Sequence, residues 1–140
     1  MEKWLVYAFA SMFFAGITAV IAKLGLDGIS ADLGLTIRTA AVFALVLVFA
    51  MAVVPRTEWT LLTSRNFLWL GLSALTTTLS WIFYYRAIKL GEVSTVALID
   101  KGSVLVAVLL AWWVLKESLT LNKAAGAALI VAGLLLIARR

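Results

Sequence analysis

Five apolar runs of membrane-spanning length dominate this chain of 140 residues. A hydrocarbon core of roughly 30 Å is crossed by a helix of about 20 apolar residues. The runs contain 18 to 23 residues each and occupy positions 4–24, 33–54, 67–87, 93–115 and 121–138. The connecting segments are too short to form another domain. The sequence therefore predicts an all-α membrane protein with five transmembrane helices in one domain over residues 1–140.

The composition excludes a soluble globular domain. Hydrophobic residues make up 64% of the chain and charged residues 14%, against about a quarter charged in soluble domains. A mean hydropathy of +1.09 cannot be hidden in a chain of this size, because a small domain exposes roughly a third of its unfolded surface. The net charge of +5 is spread singly between apolar runs, whereas nucleic-acid binding requires a clustered basic face.

The absence of cysteine and histidine restricts the chemistry available to the chain. It excludes disulfides, thiol nucleophiles and the usual zinc ligands, and it removes the commonest general base near neutral pH. We therefore expect no catalytic residues, no metal site and no cofactor.

The breaks between the runs contain typical helix-terminating residues. Gly25 and Gly28 follow the first run, Pro55 closes the second, and Gly91 follows the third. Thr120 is a candidate N-cap for the fifth helix. The short connections predict a bundle in which consecutive helices are antiparallel neighbours.

One face of the third helix is polar and aromatic. At helical spacing it presents Ser73, Thr76, Thr77, Ser80, Trp81, Tyr84 and Tyr85. This stripe can line a transport pathway, although hydroxyls in membrane helices also bond to their own backbone.

The fifth helix has small residues at every fourth position: Ala124, Ala128 and Ala132, with Gly126 and Gly133 nearby. Such a ridge lets two helix backbones approach closely. It predicts a dimer interface, and the alternative is packing between helices of one chain.

Charged side chains within the apolar runs are candidate functional residues, because each costs at least roughly 2.5 to 3.5 kcal/mol near the bilayer centre. The up-and-down topology places all of them in one leaflet: Lys23, Arg38, Arg86, Asp100 and Lys101.

Asp100 lies roughly 10 Å inside the predicted fourth helix, and its short side chain cannot reach the interface easily. Arg38, roughly 8 Å inside the second helix, is the best-placed partner, followed by Lys23. Lys101 is expected to point about 100° away around the helix. The pair of Asp100 and Arg38 is either a fixed ion pair or an exchangeable site that lines a cavity.

Gly102 and Ser103 follow Asp100 and Lys101 directly. A glycine weakens a helix, and broken transporter helices expose backbone carbonyls at their binding sites. We therefore expect Ser103 to lie beside the site.

Lysine and arginine residues are almost balanced between the two sides of the predicted bundle. One side has Lys3, Arg56, Arg65, Lys116 and Lys123, and the other has Lys23, Arg38, Arg86, Lys89, Arg139 and Arg140. Because a clear excess normally fixes one orientation, this balance predicts dual topology. An antiparallel homodimer would then assemble ten helices.

Several segments carry a resemblance to a known family. They are 11–19, 23–25, 37–39, 80–81, 85–87, 98–101 and 115–120, together with Gly126. These segments resemble the EamA branch of the drug/metabolite transporter superfamily along nearly the whole chain. The chain looks like the single-repeat members, whose longer relatives contain two inverted five-helix repeats.

The resemblance implies secondary transport of a small metabolite across a cell membrane, most simply a prokaryotic inner membrane. Substrates in that superfamily include amino acids, nucleosides, sugar phosphates and drugs. The related small multidrug resistance proteins bind cations through a glutamate in helix 1, which this chain lacks between Trp4 and Ala22. Drug-cation export by that mechanism is not expected.

The predicted function is transport of a small anionic or zwitterionic metabolite, because cations outnumber Asp100 in the predicted cavity. The candidate site residues are Asp100, Arg38, Lys23, Lys101, Arg86, Tyr84, Trp81, Thr77, Ser80 and Ser103. The expected partners are a small-molecule substrate, membrane lipid and a second copy of the chain, and no nucleic acid. The alternatives are a non-transporting subunit of a larger complex and, less compatibly with the composition, a membrane enzyme.

Overall fold

A computed structural model describes residues 2–138, and seven helices account for the regular structure within that range. They are α1 (Lys3–Gly25), α2 (Ala31–Val53), α3 (Arg56–Trp59), α4 (Ser64–Leu90), α5 (Val93–Asp100), α6 (Ser103–Val114) and α7 (Leu121–Ala138). The described range contains no β-strand. Arg139 and Arg140, which enter the charge balance above, lie outside the described residues.

Four helical segments are long and apolar enough to cross a membrane. They are Lys3–Gly25, Ala31–Val53, Ser64–Leu90 and Val93–Val114, the last combining α5 and α6. Leu121–Ile137 is a shorter apolar helix. Most large apolar side chains on these segments are exposed, for example Phe43 and Leu129. The prediction of an all-helical membrane protein is therefore confirmed, with four full-length candidate spans and one shorter apolar helix.

Local capping explains where α2 begins and ends. Gly28 adopts a left-handed conformation with φ of +70°, and Ser30 follows as the N-cap, its hydroxyl accepting a hydrogen bond from the Leu33 amide at 3.2 Å. The helix therefore begins at Ala31, two residues before the predicted start. Pro55 lies beyond the C-terminal end, where it caps the short helix α3.

The predicted fourth helix is broken at Lys101 and Gly102. The Lys101 amide bonds to the Leu98 carbonyl at 3.2 Å, and the Gly102 amide bonds to the Ile99 carbonyl at 2.9 Å, so the chain tightens into turns of three residues. A Cβ at Gly102 would lie 3.0 Å from both the Ile99 oxygen and Leu134 Cδ1. The expected weakening at this glycine is confirmed.

The chain divides into two compact units, and the α2–α4 unit is Val20–Leu90. Its helices α2 and α4 pack against each other. The best-buried side chains are Leu26 and Ile88, at 1% and 0% exposure. A Cβ at Gly34 would collide with Leu26 Cδ2, so the glycine lets Leu26 pack against the first turn of α2.

The α5–α7 unit comprises the described parts of Met1–Ala19 and Gly91–Arg140. Within it, α7 packs against both α5 and α6. Thr120 is the N-cap of α7, as predicted, because its hydroxyl accepts the Lys123 amide at 3.3 Å. The Lys123 ammonium also lies 3.5 Å from the Glu117 carboxylate.

Candidate functional site

Two lysines join the C-terminal ends of α1 and α4. The Lys23 ammonium donates to the carbonyls of Ile88 and Lys89, and the Lys89 ammonium donates to the Leu26 carbonyl at 2.6 Å. The last carbonyls of a helix lack intrahelical partners and carry partial negative charge, which a cation satisfies. Lys23 therefore caps the C-terminal end of α4. The sequence analysis placed Lys23 in the cavity and did not anticipate this contact.

Arg86 forms a bidentate ion pair with Asp32. Arg86 Nε lies 3.0 Å from Asp32 Oδ1, and Arg86 Nη2 lies 3.2 Å from Asp32 Oδ2. The sequence analysis named Arg86 as a candidate site residue and did not consider Asp32. Ser30 could have revealed this residue in the sequence, because an N-cap at Ser30 places Asp32 in the first turn of α2.

Arg38 is held against two aromatic rings of α4. Its guanidinium carbon lies 4.5 Å from the centroid of the Trp81 ring and 5.8 Å from that of Tyr85, within the range of cation–π attraction. Arg38 Nη1 is fully buried and has no hydrogen-bond acceptor among the described residues. A buried donor without an acceptor costs about 1 to 3 kcal/mol, so this group is poised to receive one.

A pocket of about 700 Å³ lies between α2 and α4. It is lined by Asp32, Leu35, Thr36, Thr39, Ala40, Phe43, Thr78, Trp81, Ile82 and Arg86. Phe43 and Thr78 each lie about 18 Å along their helices from the end that carries the ion pair. The pocket therefore has a length comparable to half of a hydrocarbon core, which is about 15 Å.

The polar stripe of α4 contributes only part of this pocket. Trp81 lines it directly, whereas Thr77 and Ser80 are exposed and do not line it. The Thr76 hydroxyl donates to the Ser73 carbonyl at 2.9 Å, which is the backbone bonding that the sequence analysis left open. The Thr78 hydroxyl likewise bonds to the Ala74 carbonyl and still faces the pocket.

Tyr84 is half-buried on α4, and its ring centroid lies 6.5 Å from that of Tyr85 in an edge-to-face arrangement. This contact places Tyr84 beside the aromatic ring that flanks Arg38, although Tyr84 does not line the pocket.

Asp100, Lys101 and Ser103 lie in the α5–α7 unit, at the break between α5 and α6. Lys101 Nζ is 3.8 Å from Asp100 Oδ2. The Lys101 backbone is helical, with φ of −64° and ψ of −15°, so its long side chain reaches Asp100 from the adjacent position, a contact that the sequence analysis did not anticipate. The pairing of Asp100 with Arg38 stays a prediction.

The small-residue ridge of α7 is largely open. Ala128 and Ala132 are exposed, and Ala124 is half-buried. The ridge therefore retains a surface on which another helix can pack.

The fold and the pocket define a helical integral membrane protein with a ligand-sized cavity inside its transmembrane region. Residues 2–139 match the EamA-like transporter family, and the chain belongs to that family. This match confirms the resemblance carried by the sequence motifs and identifies a transporter rather than an enzyme.

The chain is also similar to a protein from a Sinorhizobium species named "Uncharacterized transporter in cobO 3'region". The two are 36% identical over 137 residues, which cover 98% of this chain and 97% of that protein. The relative therefore has the same single-repeat size. No solved structure matches the chain.

Proposed function

We propose that this protein is a secondary transporter that moves a small anionic or zwitterionic metabolite across the cell membrane by alternating access. The observation that carries this proposal is the pocket between α2 and α4, with a volume of about 700 Å³. Pockets for small ligands typically have volumes of about 300 to 1,000 Å³. A cavity about half as long as a hydrocarbon core is thick has the depth of a transport site open to one side.

The charges around the pocket favour a substrate with an acidic group. Arg86 lines the pocket, and Arg38 lies against its Trp81 wall. Arg38 Nη1 lacks an acceptor among the described residues. We propose that the substrate carboxylate or phosphate and the Asp100 carboxylate compete for Arg38 during the cycle, which couples substrate loading to the charge state of Asp100.

The purified protein tests this function in two steps. A thermal-stability screen with anionic, zwitterionic and cationic metabolites should give stabilisation by the first two classes. The stabilising compounds should then enter proteoliposomes that contain only this protein. Stabilisation by cations alone would contradict the proposed substrate class.

A non-transporting membrane subunit is the second candidate, favoured by the exposed ridge at Ala128 and Ala132. In that case the ridge would dock on a larger partner. The purified chain would then fail to catalyse uptake of any stabilising compound, even when reconstituted in both orientations.

The ridge leads to a prediction about assembly, since we propose an antiparallel homodimer with ten helices. Ala128→Leu is expected to weaken dimerisation at least about tenfold, because the larger side chain separates closely packed backbones. Gly126→Leu is the matched control, since Gly126 lies on the opposite face of α7 and a Cβ there meets nothing within 4 Å. Dimerisation is measured by single-molecule photobleaching in bilayers. Equal effects of the two variants on dimerisation would indicate that the ridge packs against another helix of the same chain.

The balance of positive charges leads to a prediction about insertion. Reporters fused after Arg140 are expected to reveal both inside and outside populations in cells. Two lysines added to the loop around Asp27 should shift the mixture towards the orientation that keeps this loop in the cytoplasm. One orientation that does not respond to the added lysines would exclude dual topology.

A further inference from the structure

We propose that Asp32 and Arg86 form a capture site for a zwitterion with an apolar body, and that the substrate binds by exchanging partners with this ion pair. The proposal rests on the transport function above and narrows its substrate class. In this capture state, which precedes transfer of the substrate's acidic group to Arg38, the substrate anion pairs with Arg86, and the substrate cation pairs with Asp32.

The geometry of the pair suits such an exchange. Arg86 engages the carboxylate through two parallel hydrogen bonds, of 3.0 and 3.2 Å, and a substrate carboxylate presents the same two oxygens to the guanidinium. The Asp32 carboxylate released by that substitution then accepts the substrate ammonium. Each charge in the pocket keeps an opposite partner before and after binding.

The pair is open enough to be exchanged. The side chains of Arg86 and Asp32 are 56% and 63% exposed, and exposed ion pairs contribute little net stability to a fold. The packing of α2 on α4 therefore does not depend on this contact, since the buried side chains of Leu35, Tyr85 and Ile88 fill the core of the same unit.

The charges of the lining residues distinguish between an anionic and a zwitterionic substrate. Among the residues that line the pocket, Asp32 and Arg86 are the charged ones, and their charges cancel. A simple anion that took Arg86 would displace the Asp32 carboxylate without offering it a cation, so it would gain one charge contact while breaking another. A zwitterion leaves neither charge unpaired, so the lining favours it over an anion or a cation.

The rest of the lining favours an apolar body. Leu35, Phe43, Trp81 and Ile82 contribute apolar walls, and the deepest lining residues lie about two to three turns of helix from the ion pair. A substrate oriented by its charges at the helix ends would extend its apolar part towards the bilayer midplane, where burial against these side chains is favourable.

Three probes with the same isobutyl side chain separate the charge classes. L-leucine is a zwitterion, N-acetyl-L-leucine is an anion and L-leucine methyl ester is a cation. Binding to the purified wild-type protein is measured by isothermal titration and thermal shift. Leucine should bind at least about tenfold more tightly than either derivative.

Variants that neutralise one residue of the ion pair should change which of the three probes binds best. Asp32→Asn releases Arg86 and should improve binding of N-acetyl-leucine about tenfold or more, whereas Arg86→Gln releases Asp32 and should do the same for the methyl ester. Because an unfolded variant cannot gain affinity, neither of these gains could result from unfolding. Asp27→Asn, which removes an exposed carboxylate five residues before Asp32, is the matched control and should bind like the wild type.

The outcomes distinguish this site from the transport function. Leucine binding with the predicted exchange of preferences, but without uptake into proteoliposomes, would support the capture site and overturn the transporter. Uptake of N-acetyl-leucine in preference to leucine would support the transporter and overturn the capture site. The capture site is also overturned if leucine does not bind, or if Asp32→Asn and Asp27→Asn give the same binding profile.

Discussion

An Arg38→Ala variant is expected to lose substrate uptake by at least about 100-fold while retaining the fold. The guanidinium is fixed by the rings of Trp81 and Tyr85, and its buried Nη1 has no acceptor among the described residues. Charged hydrogen bonds contribute about 1.5 to 3 kcal/mol each, so loss of a bidentate contact to an acidic group readily accounts for two orders of magnitude. The measurement is initial uptake into proteoliposomes at matched protein density.

Two further variants separate charge from geometry. Arg38→Lys keeps the charge but lacks the planar group that stacks on aromatic rings and binds two oxygens, so we expect partial uptake. Arg65→Gln removes an exposed arginine at the start of α4 and should transport normally. If Arg38→Ala transports like the wild type, the guanidinium only packs against Trp81 and Tyr85.

The helices could be predicted from the sequence because hydropathy alone determines where a chain can cross a bilayer. The helix ends were correctly predicted at Gly28, Pro55 and Gly91. Proline restricts the local backbone conformation, and glycine permits conformations that end a helix. The glycine at position 102 was recognised as a weak point, but glycines are frequent in membrane helices. The local sequence also does not show that Gly102 packs closely against Leu134, which is 32 residues away in the chain.

The candidate site was only partly predictable. Helical periodicity placed Trp81 and Tyr85 on one face of α4, but it could not reveal that this face meets Arg38. Asp32 was missed because a hydropathy window discards polar residues at helix ends, although the side chain reaches Arg86 from the first turn of α2. Pairings between residues more than 40 positions apart depend on helix packing, which local patterns do not encode.

An Asp100→Asn variant is expected to abolish gradient-driven uptake and to leave a folded protein. We propose that this carboxylate exchanges Arg38 with the acidic group of the substrate during coupling, and an amide carries no charge for that exchange. Its position at the end of α5, beside Lys101 and the break at Gly102, gives it a nearby cation. Uptake with and without a proton gradient measures the effect, and thermal stability verifies the fold.

The decisive comparison for Asp100 is with a double variant. If the carboxylate only neutralises the Arg38 guanidinium, whose Nη1 is buried, Asp100→Asn should unfold the protein, because a buried charge left unpaired is strongly destabilising. Asp100→Asn combined with Arg38→Gln should then restore both the fold and full transport, and the proposed coupling would be wrong. If Asp100 takes part in coupling, the single variant stays folded and the double variant remains inactive, because neither residue can exchange its partner. Asp27→Asn, the same change at an exposed loop position, should retain gradient-driven uptake.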